Sequence, residues 1–327
     1  MIRRREFIAG LGSAAAWPVV ARAQQAALPV IGFLSSVSPQ GSEGTPKGFR
    51  AGLSEAGYFV GRNVTIEVFR ANGRYDRLPA LAHEMVRRQV SLIVAAGGLP
   101  SARAAKAATD KIPILFVAGF DPVKLGLVGS INRPGGNATG LSIYTTELLA
   151  KRLELLRETM PRASLFALLV NPLSAVAGIE TDDMEGVARA NGLRLLALQA
   201  SSEGELERAF ASAVRNRADA LLISADPFFT TRRHQIVALA ARHSLPVVYP
   251  WKAYTEVGGL MSYGPSFTKA YHEIGLYAGR ILKGADAGKL PVQFPTTFEL
   301  VINLTTAKAL GLTIPETLLA TADEVIQ

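Results

Sequence analysis

The 327-residue chain contains no cysteine. A chain without cysteine forms no disulfide, carries no lipid-anchored cysteine, and offers neither a thiol nucleophile nor a cysteine-based metal site. Charged residues are also scarce, at 19% of the chain, against 49% hydrophobic residues. This balance supplies apolar material for a large buried core, and the length suffices for two domains of ordinary size.

Sequence patterns for several activities are also missing. The formal net charge is +8, but Lys and Arg are scattered, with no run longer than Arg3-Arg4-Arg5. The clustered charge typical of nucleic-acid binding is therefore absent, and we predict no nucleic-acid partner. The chain lacks the phosphate-loop pattern G-x-x-x-x-G-K-[ST] and the hydrolase elbow G-x-S-x-G. These absences argue against nucleotide binding and against serine-hydrolase chemistry.

Metal-binding and catalytic side chains are few. The four histidines fall within predicted helices, and His234 and His243 are nine residues apart, unlike the four-residue spacing of a zinc helix. The acidic stretch 181–186 lacks the ligand ladder of an EF-hand and is better explained as a helix start. We predict no catalytic residue, no metal site, no cofactor and no enzymatic activity.

The first 23 residues have the pattern of an export signal. A basic start is followed by an apolar stretch from Ile8 to Val20 and by Ala21-Arg22-Ala23, which predicts cleavage near Ala23. The pair Arg4-Arg5 favours twin-arginine export over the general secretory route, which stays an alternative. Residues 1–23 hold four arginines and one glutamate, a net +3, so the mature chain carries about +5 (8 minus 3). We predict a periplasmic protein, soluble after cleavage.

The rest of the chain alternates apolar strands with helix-length segments. Two successive series share one order of elements, in which "DKIPILF" and "HSLPVVY" occupy the same place. Alternation of this kind predicts βαβ units with parallel sheets, and its repetition predicts two similar lobes. The predicted fold class is α/β, with two Rossmann-like lobes. The predicted first lobe comprises 28–142 plus 262–290, and the second comprises 143–261 plus 291–327.

Polar residues and glycines follow the predicted strands of the first lobe. Ligands bind beyond the carboxyl ends of such strands, so two facing lobes predict a cleft that closes around a ligand. Gly97 to Ser101 open a helix and predict a cradle of backbone amides for a carboxylate. The serines and Asp121 have an alternative role as caps of the adjoining helix and turn. The predicted ligand-binding residues of this lobe are Ser35, Ser36, Gly98, Leu99, Pro100, Ser101, Phe120, Asp121 and Ser142.

The second lobe contributes acidic and aromatic residues at matching positions. Asp226 is expected to hold polar hydrogens of the ligand, and aromatic side chains to form apolar walls. An alternative hypothesis is an enzyme, in which Asp121 and Asp226 would be the pair of catalytic carboxylates. The predicted ligand-binding residues here are Asn171, Asp226, Tyr249 and Trp251. Tyr263, in the 262–290 part of the predicted first lobe, is expected to complete the apolar walls.

Several long stretches carry a family resemblance. "YDRLPALAHEMVRRQVSLIVAAGG", "DPVKLGLV" and "FELVINLTTAKALGL" resemble ABC-transporter substrate-binding proteins related to tryptophan- and tyrosine-binding proteins, and the likeness covers nearly all of the mature chain. The resemblance implies the type I periplasmic-binding-protein fold, with two lobes, three crossings and a clamped ligand. It implies a monomeric receptor that binds a small-molecule ligand and delivers it to an ABC permease whose ATPase is a separate protein.

The resemblance also assigns roles to individual residues. It matches the family's carboxylate-binding turn to Gly98–Ser101, its first serine-bearing tip to Ser35 and Ser36, and its acidic positions to Asp121 and Asp226. Leu99 departs from the aromatic amino-acid binders of the family, which tend to have Thr there. Both an amino acid and an aromatic or aliphatic carboxylate without an amine therefore stay candidate ligands. A ligand-sensing subunit of a signalling system is the alternative function.

Overall fold

The computed structural model describes residues 28–37, 45–143 and 145–327. The predicted export signal at residues 1–23 lies outside these ranges. The described chain forms two separate sheets flanked by helices, so the prediction of a two-lobed α/β fold is confirmed. Within these ranges, no helix combines the length and the apolar character needed to cross a membrane.

The first lobe is built on a five-stranded sheet in which every neighbouring pair is parallel. Its central strands are buried throughout because helices cover both faces, which explains their uninterrupted apolar sequences. The strands are β1 (Val30–Ser35), β2 (Thr65–Arg70), β3 (Leu92–Ala96), β4 (Ile114–Ala118) and β5 (Ala138–Ser142). The helices between them are α1 (Thr45–Glu55), α2 (Leu78–Arg87) and α3 (Leu99–Ala108). The spatial order is β2-β1-β3-β4-β5.

The second lobe is built on a seven-stranded sheet. Its strands are β6 (Leu165–Val170), β7 (Arg194–Gln199), β8 (Ala220–Ile223), β9 (Val247–Tyr249), β10 (Met261–Pro265), β11 (Phe298–Asn303) and β12 (Glu324–Ile326). The helices that follow β5 in the chain are α4 (Thr145–Thr159), α5 (Ala177–Ala190), α6 (Glu203–Arg215), α7 (Pro227–Thr231), α8 (Arg233–Arg242), α9 (Lys252–Thr255), α10 (Phe267–Leu282), α11 (Leu304–Ala309) and α12 (Glu316–Thr321). The spatial order is β12-β11-β10-β9-β8-β6-β7, and only the β10–β11 pair is antiparallel.

The chain passes between the lobes three times: after β5, after β10 and before β11. Strand β10 is hydrogen-bonded to β9 and β11, so residues 262–265 belong to the second lobe, and the predicted boundary at 262 is wrong by these residues. Gln293 pairs with Leu141 of β5, which keeps residues 291–293 with the first lobe and displaces the boundary predicted at 290. A boundary in an extended segment is set by hydrogen-bonded partners, which the sequence does not reveal.

Helix α10 returns from the second lobe to pack against α1 of the first lobe. Their backbones touch where glycines meet. A Cβ added at Gly52 would lie 1.9 Å from the carbonyl oxygen of His272, and one at Gly275 would lie 2.3 Å from that of Phe49. Only glycine allows this approach, so the contact fixes how the returning helix sits on the first lobe.

We predict that Gly52→Ala lowers the free energy of unfolding by about 1–3 kcal/mol, because the added methyl group must push the two helices apart. The matched control is Gly186→Ala in α5, where a Cβ meets no atom within 4 Å. That change should stabilise the protein by about 1 kcal/mol through helix propensity. Urea unfolding measures both. Equal effects of the two substitutions would contradict the close contact.

Candidate functional site

A cavity lies between the lobes at the carboxyl ends of strands from both sheets. The space it encloses, counted together with its open mouth, is about 590 Å3. The first lobe and the adjoining crossing supply Ser35, Val37, Ala96, Gly97, Gly98, Val117, Gly119, Ile143, Phe267 and Tyr271. The second lobe supplies Ala225, Asp226, Pro227, Thr230 and Trp251.

The turn between β3 and α3 forms one wall of the cavity. Gly97 and Gly98 have φ values of +86° and +83°, in the left-handed region that favours glycine. A Cβ on Gly97 would lie 2.9 Å from the backbone nitrogen of Ser36, and one on Gly98 would lie 3.6 Å from Pro227 of the other lobe. Helix α3 begins at Leu99, and the Gly98 position has no side-chain cap. The first amides of a ten-residue helix therefore begin at the cavity wall.

Only one of the predicted serines at these tips lines the cavity. Ser35 does so, and its hydroxyl accepts a 3.3 Å hydrogen bond from the Val37 amide. Ser36 and Ser101 are buried and bond to each other, with 2.5 Å between their hydroxyl oxygens. The Ser101 hydroxyl also donates to the Ala96 carbonyl at 2.7 Å. These two hydroxyls therefore join the tips of β1 and β3 to α3, and do not face the cavity.

Leu99 and Pro100 also lie outside the cavity lining. Leu99 is buried in the core of the first lobe. Pro100 is half-buried and occupies the second position of α3, where its missing N–H costs no helical hydrogen bond.

Asp226 contributes a carboxylate to the cavity wall. It is 5% exposed and precedes α7, whose first turn it caps. Its Oδ1 accepts three hydrogen bonds: from the Tyr75 hydroxyl at 2.7 Å, the Phe228 amide at 2.8 Å and Asn171 Nδ2 at 2.9 Å. Burial raises the pKa of Asp226, and the three hydrogen bonds oppose that shift by favouring the carboxylate.

Aromatic side chains from both lobes form the apolar wall. The ring centroid of Trp251, in the second lobe, lies 4.3 Å from that of Phe267, in the first turn of α10. Phe267 in turn lies 6.2 Å from Tyr271. A backbone hydrogen bond from Gly97 joins Tyr271 to the glycine turn, although burial keeps the pKa of this tyrosine above its ordinary value. Aromatic surface and backbone amides therefore meet in one cavity.

Two other predicted aromatic residues do not line this cavity. Tyr249 is buried in the second lobe and stacks on Tyr254, with 4.7 Å between ring centroids. Tyr263 stacks on Phe298 at 6.1 Å, and its carbonyl accepts a hydrogen bond from Arg152. Both tyrosines lie at or near a strand end, but their rings point into side-chain packing within their own lobe.

Phe120, Asp121 and Ser142 are associated with a different crevice: the first two line it, and Ser142 supports Phe120. Phe120 and Asp121 line a space bounded by α4 and α5 of the second lobe, and the Ser142 hydroxyl donates to the Phe120 carbonyl at 2.6 Å. The Asp121 carboxylate accepts from the amides of Val123 and Lys124, as a turn cap does. Asp121 and Asp226 thus line separate cavities, so the structure does not assemble the carboxylate pair of the alternative enzymatic reading.

The structure adds residues that the strand-end argument did not supply. Tyr75 belongs to a short turn before α2, and Thr230 to α7. Phe267 and Tyr271 belong to the apolar stripe of α10, whose spacing indicates only a buried helical face. A signal in the sequence is the position of Phe267 directly after a crossing, where a helix starts beside the cleft.

Two buried charges lie in the second lobe behind the cavity wall. Arg152 and Glu180 are both nearly inaccessible, and Arg152 Nε donates to the Tyr263 carbonyl at 2.8 Å. Burial lowers the pKa of Arg152 to about 10. Burial, together with the charge of Asp226, raises the pKa of Glu180 to about 7, while Arg152 and a hydrogen bond from Ser224 pull it down. Asp226 therefore sits within a larger group of interacting buried charges.

Two lobes, three crossings and a cavity at the facing strand ends define a ligand-binding clamshell with the type I periplasmic-binding-protein fold. The chain belongs to the family described as ABC transporter substrate binding protein, which it matches over residues 29–326. It is 29% identical over 282 residues to a tyrosine-binding protein of Clostridioides difficile (strain R20291), covering 86% of this chain and 81% of that protein.

Two solved structures show the same fold at 26% identity. An ABC domain in complex with L-Trp, from Streptococcus pneumonia, superposes with a TM-score of 0.81 over 90% of this chain and 100% of that one. The ligand-free, open structure of CD0873, a substrate binding protein from Clostridium difficile, gives 0.67 over 92% and 99%. Of these two structures, the L-Trp complex is the more similar overall.

We predict that Glu180→Gln changes how stability depends on pH. Between pH 4.5 and about 7 the folded chain holds a proton on Glu180 that the unfolded chain has released. The wild type therefore loses stability as pH rises through this window, by at most about 1.4 kcal/mol per pH unit, and the glutamine variant does not. Urea unfolding from pH 4.5 to 8 should show the free energy of unfolding of the wild type falling relative to that of the variant up to about pH 7. Above that pH the difference between the two proteins should stay constant.

The control is Glu185→Gln, on the exposed part of the same helix. This variant keeps Glu180, so its stability should show the same fall with rising pH as that of the wild type. Parallel pH curves for the wild type and Glu180→Gln would contradict the unusual ionisation of Glu180.

Proposed function

We propose that this chain is the exported receptor of an ABC importer, and that it binds an aromatic amino acid in the inter-lobe cavity. The observation that carries the proposal is the presence of a buried carboxylate, a helix N-terminus and an aromatic wall around one cavity. Family membership and the tyrosine- and tryptophan-binding relatives support the same conclusion.

Asp226 supplies the recognition of a positively charged amine. Its three hydrogen-bond donors in the described chain all go to Oδ1, which leaves Oδ2 to accept from a ligand in the cavity. A buried carboxylate costs less free energy when a cation pairs with it. An ammonium group bound at Oδ2 meets this requirement, whereas a carboxylic acid without an amine would leave Oδ2 facing an apolar ring or another anion.

The turn at Gly97 and Gly98 supplies the recognition of a carboxylate. The positive end of the dipole of α3 favours a negative charge there, and the glycines let the ligand approach the backbone. The side chain of Leu99 is buried in the core and is not part of this wall. The leucine at this position therefore does not argue against an amino-acid ligand.

The aromatic wall of Trp251, Phe267 and Tyr271 selects the side chain of the ligand. Aromatic rings pair with a gain of roughly 0.5–1.5 kcal/mol beyond the area they bury. Because Trp251 and Phe267 belong to different lobes and their rings contact each other, a ligand ring that packs against both contributes to keeping the cleft closed. In this fold the two lobes close by a hinge motion around the bound ligand.

The proposal also covers the export of the chain, its partner protein and its oligomeric state. The signal pattern in residues 1–23 supports export to the periplasm, with cleavage near Ala23. Membership of the substrate-binding family supports transient docking to an ABC permease in the inner membrane. The mature chain acts as a monomer and turns over no ligand.

We predict that L-tryptophan or L-tyrosine binds and that analogues lacking one charge bind far more weakly. Titration calorimetry on the mature chain compares each amino acid with tryptamine, which lacks the carboxylate, and with 3-indolepropionate, which lacks the amine. Each missing group leaves a buried partner unpaired, and we expect a loss of at least about 10-fold. Binding of 3-indolepropionate as tight as that of L-tryptophan would contradict the role of Asp226. Absence of binding by every amino acid would refute the proposed ligand class.

We also predict that Asp226→Asn weakens amino-acid binding by about 10- to 100-fold. Asparagine keeps the shape and an acceptor oxygen but loses the charge that attracts the ammonium group. Asp121→Asn is the matched control, because that carboxylate caps a turn beside a separate crevice. Its affinity should equal that of the wild type. Equal weakening by both substitutions would place Asp121 in the same site.

A further inference from the structure

The hydroxyl of Tyr75 connects the two lobes. Tyr75 lies in the first lobe, in the short turn before α2, and its hydroxyl donates to Asp226 Oδ1 of the second lobe at 2.7 Å. The same hydroxyl accepts from the Phe228 amide, also in the second lobe, at 3.1 Å. One side chain therefore makes two hydrogen bonds across the cleft.

The turn that carries Tyr75 is fastened to the tip of β1. The amide of Ala71 donates to the Ser35 carbonyl at 2.9 Å, and that of Gly73 donates to the Ser36 carbonyl at 2.7 Å. The Tyr75 ring packs against buried side chains in the core of the first lobe. Movement of the first lobe away from the second must therefore carry the hydroxyl with it and break both bonds.

Tyr75 also controls which oxygen of Asp226 is available. Because its hydroxyl joins Asn171 and the Phe228 amide on Oδ1, the carboxylate is held with Oδ2 as the oxygen left for the cavity. Tyr75 itself does not line the cavity. Burial raises the pKa of Tyr75 above its ordinary value, with the charge of Asp226 acting in the same direction, so the hydroxyl stays a donor at neutral pH.

We propose that Tyr75 is a positioning residue that holds the cleft closed and orients Asp226 towards the ligand without touching the ligand itself. The orienting role rests on the proposed function, whereas the closing role does not. Loss of the hydroxyl should favour the open cleft in the ligand-free protein. In the presence of ligand it should speed dissociation and leave association nearly unchanged, because association starts from the open cleft.

The absence of cysteine allows a direct test. Val123→Cys and Leu173→Cys place one spin label on each lobe, at side chains that are 38% and 69% exposed. Pulsed electron paramagnetic resonance then gives the distribution of distances between the two labels in the ligand-free protein. In a Tyr75→Phe background the ratio of closed to open molecules should fall about 10-fold or more, because two cross-cleft hydrogen bonds are lost.

The control background is Tyr58→Phe, which removes a hydroxyl from a half-buried tyrosine that packs beside Gly279 within the first lobe. Its distance distribution should match that of the labelled parent. Phenylalanine preserves the Tyr75 ring packing, and thermal melts confirm that each variant is folded. Identical distributions in the Tyr75→Phe and parent backgrounds would overturn the proposal.

A second measurement uses L-tryptophan in stopped-flow binding. The Tyr75→Phe dissociation rate should rise about 10- to 100-fold, with the association rate within about 3-fold of the parent. A loss confined to the association rate would overturn the orienting role. If the parent protein does not bind L-tryptophan, the failure belongs to the proposed ligand class, and the spin-label distances decide the closing role of Tyr75.

Discussion

The burial of one carboxylate imposes the strongest constraint on the cleft. A charged oxygen removed from water must be compensated by donors, and Asp226 finds one in its own α7, one in Asn171 and one across the cleft in Tyr75. Two of these donors come from the second lobe and one from the first. The electrostatic requirement of a single side chain therefore links the end of β8 to the turn before α2. Closing the lobes removes the Asp226 carboxylate from water and, in the same movement, supplies one of the hydrogen bonds that compensate for the lost water.

The surrounding charges extend this constraint into the second lobe. Glu180 responds to the charge of Asp226, Arg152 counters Glu180, and Arg152 Nε bonds to the carbonyl of Tyr263 in β10. Strand β10 is the last element before the chain crosses back through Pro265. The ligand ammonium proposed to bind at Asp226 would therefore act within one low-dielectric group of charges that reaches a hinge segment. Neutral side chains at 152 and 180 would avoid the free-energy cost of burying charges, but they would remove the electrostatic link between Asp226 and that hinge.

Much of the architecture could be predicted from the sequence, whereas only part of the site could. Buried parallel strands have long apolar runs, and their carboxyl ends share an edge of the sheet. Ser35, Gly98, Asp226 and Trp251, which follow such ends, line one cavity. The direction of a side chain at a strand end depends on packing. Ser36 and Ser101 satisfy each other, and Tyr249 stacks within its own lobe. Tyr75 and Tyr271 come from a turn and a helix whose approach to the cleft is set by tertiary structure.

The glycine contact between α1 and α10 has a consequence for the order in which the polypeptide emerges from the ribosome. The partner of α1 is encoded after β10, so the segment ending at Ser142 is synthesised while Phe49 and Leu53 still lack the cover that Ala270 and Ile274 later provide. A nascent chain of that length exposes apolar surface that chaperones recognise. An N-terminal fragment cut after β5 would be aggregation-prone, and an autonomous first lobe would require residues 266–293 to be spliced directly onto it.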